Sequence, residues 1–267
     1  MFTKQMPYFL ALVFLFTACQ NSGESESNEK QTAKEEKTEK KAPESKISLE
    51  PLKPKSPVYG DATLELANHK VNSGGEVEFD FKVSNYTLGE QTSDAEGKGL
   101  ANSPKGQHIH FIDNNGPYSA HYESTFSKEL EEGNHVILAF LSRSYHESVK
   151  SGKAALITQL QIGEGAELLD LDQPIMFYSR PKGTYKGKDT ENVLLDFYLH
   201  NVDLSLDGYK VRALVNGEEF LLTKWAPFVI KGAPKGELNI KLELLDANDE
   251  LVDAPFNPVE RTVTLEE

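Results

Sequence analysis

Seven histidines and one cysteine hold most of the chemistry this sequence could perform. Five of the histidines crowd into one stretch: His108, His110, His121, His135 and His146. His108 and His110 stand two apart in a run of alternating character, so on a strand they share a face. Asn115-Gly116 follows, a strong two-residue hairpin signal. In that register His110 lies opposite His121, and His108 opposite Glu123; a four-residue loop from Asn114 to Pro117 gives the same pairing. A three-residue loop would set His121 opposite Ile109 and dismantle the group. Directly opposed residues have Cβ atoms about 4.5–5.5 Å apart. Three imidazoles and a carboxylate on one sheet face form a metal site, and imidazole suits zinc and copper alike. His108, His110, His121 and Glu123 are therefore the expected ligands, with zinc or copper as the cofactor. Scattered surface histidines, or a histidine face packed under a loop, are the alternatives.

Further on, Arg143, Tyr145 and His146, with Phe140 on the strand before them, are candidates for a ligand pocket at the same end. Other chemistry is thin. The single Cys excludes an internal disulfide, a Cys-ligated structural zinc and an iron–sulfur cluster. The sequence holds no Gly-rich phosphate loop, no His-Glu-x-x-His and no Gly-x-Ser-x-Gly. No Asp-x-Asp-x-Asp-Gly loop supports calcium.

The elements that must position these side chains are strands. Val77, Phe79, Phe81 and Val83 alternate with charged residues, as do Val193, Leu195, Phe197 and Leu199 with their neighbours, and Gly, Asn, Asp and Pro bound such runs throughout. The two runs belong to an internal repeat. Gly106-Gln107-His108-Ile109-His110 corresponds to Gly208-Tyr209-Lys210-Val211-Arg212, Asn115-Gly116 to Asn216-Gly217, and Glu147 and Val149 to Glu250 and Val252. The expected fold is all-β: two tandem immunoglobulin-like β-sandwiches, 57–166 and 167–267, of about seven strands each.

The repeat supplies an internal comparison. The five clustered histidines correspond to Lys210, Arg212, Thr223, Leu238 and Asp249, so the fold itself does not require His there. Val136, Leu138 and Phe140 are expected to face outward beside the histidines, where the second copy is polar. Such a strip implies a binding surface or a covering segment. The first copy also carries a longer loop, Gly89 to Lys105, rich in Gly, Ser, Asp and Asn, that could provide the cover.

The start of the chain reads as an address. Tyr8–Phe16 is an apolar run too short to span a bilayer, and it fits a secretory signal core. Phe16-Thr17-Ala18-Cys19 resembles a bacterial lipobox, so residues 1–18 are expected to be a lipoprotein signal peptide and Cys19 the lipidated residue. Gln20 rather than Asp follows, which favours an outer-membrane anchor. Residues 20–56 hold eight Lys and eight Glu and no aromatic residue, a composition expected to be a disordered tether spanning roughly 35 Å. The whole chain carries a net charge of −14; without Lys4 of the signal segment it is −15, and all of that falls on 57–267, with 19 basic and 34 acidic residues. Nucleic acid is therefore not an expected partner.

Tyr86 to Val149 resembles a group of bacterial envelope proteins labelled phosphopeptide-binding, through Gly-Gln-His-Ile-His-Phe at 106–111 and Gly-Asn-His-Val at 133–136. The resemblance implies no catalytic residue. A phosphate ligand would meet His108, His110, Lys105 and Arg143, although the surrounding acidity argues against tight capture of anionic peptides. The sequence points first to a non-catalytic, lipid-anchored envelope binding protein that takes a metal, a small ligand or a protein partner. The alternatives are a metal-dependent envelope enzyme with Glu123 as base, and a purely structural envelope protein.

Overall fold

Alternating apolar and polar residues build a stack of sheets. The computed structural model describes residues 47–165 and 167–267; the expected signal peptide, Cys19 and most of the expected tether lie outside the described residues. Strand β1 (Ser48–Pro51) is followed by β2 (Thr63–Val71), β3 (Glu76–Ser84), β4 (His108–Asp113), β5 (Ser119–His121), β6 (Thr125–Glu129), β7 (Gly133–Ser142) and β8 (Ala155–Ile162). The second half adds β9 (Ile175–Arg180), β10 (Thr184–Lys186), β11 (Val193–His200), β12 (Lys210–Val215), β13 (Glu218–Leu222), β14 (Phe228–Lys231), β15 (Gly236–Leu245) and β16 (Val259–Glu266).

The first sandwich faces a three-stranded sheet, β2-β3-β6, against a four-stranded one, β5-β4-β7-β8. Val77, Phe79 and Phe81 of β3 meet Ile109, Phe111, Ile137, Ala139 and Leu141 between them. The second sandwich faces β1-β14-β11-β9 against β10-β16-β15-β12-β13. Val193, Leu195, Phe197 and Leu199 meet Leu238, Ile240, Leu242 and Leu244 there. The fold class is thus all-β with immunoglobulin-like sandwiches. The tether expectation is corrected at its end: Ser48–Pro51 pairs antiparallel with β14 as an edge strand of the second sandwich.

The outward strip of the first sandwich is not solvated. Val136, Leu138 and Phe140 are fully buried against Ile175 and Phe177 of β9, with Tyr198 of β11 beside them. All six residues of β9 are consequently buried. Met176 and Tyr178 point into their own sandwich, and Ile175 and Phe177 into its neighbour. The cover that the strip requires is the second sandwich, not the long loop. A buried ion pair reinforces this contact: Asp196, with no exposed surface, meets Lys150 Nζ at 2.5 Å and accepts a hydrogen bond from Ser148 N–H at 2.8 Å.

The β4–β5 turn departs from expectation. Asn114 and Asn115 take the two left-handed positions (φ 45° and 53°), and Gly116 N–H closes the turn on Asp113 O at 2.7 Å. The residue equivalent to Asn216 is therefore Asn114, not Asn115: Asn114 and Asn216 each accept the N–H of the neighbouring strand (Val136 and Asn239) on their side-chain oxygen. Asn115 is used differently. Its side chain caps β9, accepting Tyr178 N–H at 2.8 Å and donating to Met176 O at 3.3 Å. The second copy makes the tight Asn216-Gly217 hairpin, with Val215 opposite Glu218. In the first copy an extra residue enters before pairing resumes, so His121 falls opposite Ile109 and His110 opposite Ala120.

Candidate metal centre

That one-residue slip decides the fate of the histidines. His108 and His110 remain on one face of β4, pointing away from the first sandwich's own core, and both are fully buried. Their third partner is His146, in the turn after β7. His108 Nε2 lies 3.1 Å from His146 Nδ1, and His110 Nε2 lies 3.4 Å from the same atom. All three ligand atoms lie within 4.8 Å of one another. Nitrogens about 2.0–2.1 Å from a tetrahedral zinc are about 3.3 Å apart, so the two contacts to His146 have the spacing of ligands on one metal ion.

Hydrogen bonding orients the rings. His108 Nδ1–H donates to Gly106 O at 2.8 Å, which leaves Nε2 bare. His110 Nδ1 faces Ser179 Oγ of β9 at 3.4 Å and turns its Nε2 toward His146. His146 Nδ1 carries at most one proton between its two nitrogen neighbours. Every choice of tautomer leaves one of the two N···N contacts without a well-directed proton, whereas one cation satisfies all three lone pairs.

The long loop has a part in this, though not as a lid over the apolar strip. Ser103 N–H donates to Ser144 O at 2.8 Å, Ser144 N–H donates to Thr92 Oγ1 at 3.0 Å, and Thr92 N–H donates to Ser144 Oγ at 3.2 Å. These bonds hold the turn that carries His146. Gly106 sits at φ 84°, and a Cβ there would lie 2.5 Å from the carbonyl oxygens of Gly89 and Glu90. Only glycine fits where the loop closes and its carbonyl fixes His108. His146 itself is left-handed (φ 70°), as is its counterpart Asp249 (φ 63°), so this conformation belongs to the turn and not to the histidine.

Aromatic rings wall the group. Tyr118 stacks on His110 with centroids 3.7 Å apart, Phe140 lies 5.0 Å from His110, and Tyr122 lies 5.1 Å from His108. Tyr118 Oη accepts from Arg180 Nη1 at 2.8 Å and lies 3.4 Å from His146 Nδ1. Burial pushes His108 down to about 4 and His110 and His146 well below the usual histidine range; the positive charge of Arg180 adds to each shift. All three rings are neutral at pH 7, the state in which imidazole binds metal.

The other expected ligands are corrected. His121 faces the interior of its own sandwich because it pairs with Ile109. Its ring stacks on Phe126 at 3.4 Å and its Nε2 meets Ser119 Oγ at 2.8 Å. Glu123 is exposed in the turn after β5 and lies outside the histidine group, so it is neither fourth ligand nor base. Of the expected pocket residues, Phe140 walls His110 and His146 is a ligand candidate. Arg143 instead pairs with Glu147 and donates to Pro57 O and Ser148 O. Tyr145 is fully buried among Leu52, Leu100, Leu194 and Val229. The phosphate set is likewise not assembled, since Lys105 lies over the Tyr122 ring and Arg143 is engaged elsewhere. Tyr118 and Arg180 carried no signal in the sequence, because Arg180 reaches the group from the second sandwich. The signal available for His146 was its pairing with Asp249 across the repeat.

No protein-family model and no curated protein matches the chain. Among solved structures, fibronectin(III)-like modules of Clostridium thermocellum CbhA align over 83% of this chain and 94% of theirs, at 14% identity and TM-score 0.28. The two tandem V-type regions of a v-region-containing chitin binding protein align over 77% and 99%, at 7% identity and TM-score 0.23. Bacteroides ovatus SGBP-B, solved with a mixed-linkage heptasaccharide, aligns over 72% of this chain and 41% of its own length, at 12% identity and TM-score 0.19. At these scores the fold assignment rests on the sheets themselves.

Proposed function

We propose that this chain is a non-catalytic metal-binding protein of the bacterial envelope, held at the outer membrane by a lipid on Cys19. The observation that carries the reading is the convergence of His108 Nε2, His110 Nε2 and His146 Nδ1 in a largely buried cluster, with too few protons for their lone pairs. The internal repeat supports it. The equivalent places in the second sandwich hold Lys210, Arg212 and Asp249, where Lys210 pairs with Asp249 at 2.6 Å and Arg212 with Glu243. The same backbone is thus stable with ordinary ion pairs, and the histidines answer some other need. Glu123 supplies no base, and no carboxylate joins the three histidines among the described residues, which favours binding over metal-assisted hydrolysis.

The test is metal content. Untagged protein from Gln20 onward is loaded with zinc or copper, dialysed and measured by elemental mass spectrometry. The expected result is about one metal per chain in the wild type and in His121→Ala, with loss in a His108→Ala, His146→Ala double variant. A wild-type protein that retains no metal overturns the reading.

A further inference from the structure

Resting on that metal reading, we infer that the site is built for monovalent copper, Cu(I), and discriminates against divalent ions by charge. The donor set consists of three neutral imidazole nitrogens with no carboxylate or thiolate among the described residues of the group. Nothing in it offsets the charge of an arriving ion. Its immediate neighbours are cationic. Arg180 is buried and bonded to Tyr118, whose hydroxyl touches His146. Lys182 Nζ lies 4.5 Å from the Tyr118 ring centroid and donates to Tyr118 O. None of the described ion pairs neutralises Arg180 or Lys182. Coulomb repulsion scales with ionic charge and is strong where water is excluded, so a dication meets twice the opposition of a monocation.

Coordination number points the same way. Zinc with three protein ligands takes a fourth, and Cu(II) prefers a tetragonal set. Cu(I) has a filled d shell and accepts three nitrogens alone. The rings of Tyr118, Tyr122 and Phe140 crowd the group, and His108 and His110 have no exposed surface. Three-coordinate binding suits such an enclosure.

The experiment uses the untagged chain from Gln20 onward under anaerobic conditions. Cu(I), kept reduced with ascorbate, is titrated in competition with a chromophoric Cu(I) chelator. Zn(II) is titrated in parallel against a zinc indicator, and the copper-loaded protein is examined by X-ray absorption. The expected result is Cu(I) bound at least about a thousandfold tighter than Zn(II), with an edge shape characteristic of three-coordinate Cu(I). In Arg180→Gln, Zn(II) affinity should rise with a logarithmic gain about twice that for Cu(I), as the charges require. Lys182→Gln, at an exposed position, should move both in the same direction by less and guards against misfolding of the first variant. Zn(II) binding as tightly as Cu(I), Zn(II) binding that depends on the Tyr118 hydroxyl in Tyr118→Phe, or equal gains for both ions in Arg180→Gln would overturn the Cu(I) inference while leaving a metal site standing. Failure of both ions to bind would instead remove the metal reading itself.

Discussion

His108 and His146 meet nitrogen to nitrogen at 3.1 Å, at the place where the second sandwich joins Lys210 to Asp249 at 2.6 Å. The two pairs occupy the same strand start and the same left-handed turn. One is an ion pair whose aspartate is largely exposed, and it needs nothing further. The other is a contact between two neutral rings, and the third ring, His110, competes for the same His146 nitrogen, so the group cannot protonate both contacts. Exchanging the pairs probes that difference. His108→Lys with His146→Asp should leave a folded protein that binds no metal, checked by circular dichroism together with metal content. Collapse of the fold would show that the histidines are structural.

His121 and His146 should behave oppositely when removed. His121→Ala loses a ring stacked on Phe126 and should cost about 1 kcal/mol, with metal binding unchanged. If the proposed site holds metal, His146→Ala should abolish metal binding at smaller cost to the apo protein, because its ring makes no core contact comparable to the His121–Phe126 stack. Urea denaturation of both variants, with and without metal, separates the two effects.

Gly106→Ala is expected to be severe for its size. The added methyl meets two backbone carbonyls at 2.5 Å in a left-handed conformation, so the loop must move. A loss of about 2–3 kcal/mol should appear in denaturant melts. Metal affinity should fall as well, because Gly106 O fixes the His108 ring.

Acid should unfold the metal-free protein early. His108 titrates near 4 when folded and near 6.5 when unfolded, so the unfolded state binds the proton first. The stability this burial provides is complete above pH 6.5 and is lost as pH falls from about 6.5 to 4. His108 alone accounts for about 3 kcal/mol of that loss, and His110 adds to it in the same direction. Denaturant midpoints measured from pH 8 to 4 test the slope. A flat profile over that range would contradict neutral buried rings.

The two sandwiches should unfold as one. Phe177 packs into the first sandwich from the second, and Asp196 makes its buried ion pair across the same contact. Phe177→Ala should cost about 3–5 kcal/mol and split a single calorimetric transition into two. A single transition at nearly unchanged temperature would mean that the sandwiches hardly depend on each other.

Strand period, the repeat and the inward and outward faces of β7 were all legible in the sequence, because each follows from local alternation with a period of two. So was the shared face of His108 and His110, for the same reason. The register of the hairpin was not. It depends on one residue of turn geometry: Asn115 is drawn off to cap β9, the turn recentres on Asn114, and His121 moves to the other face. That competition is between a local turn preference and hydrogen bonds to a strand about 60 residues away, and no local pattern records it. The third histidine of the group, His146, lies in a turn held by the long loop through Thr92, Ser103 and Ser144. Arg180 and Tyr118 join only because the second sandwich docks on the apolar strip. The sequence by itself determined which residue types were available and which side of β4 they occupy. Long-range packing decided which of them meet, because contact across a sheet stack depends on docking and not on spacing along the chain.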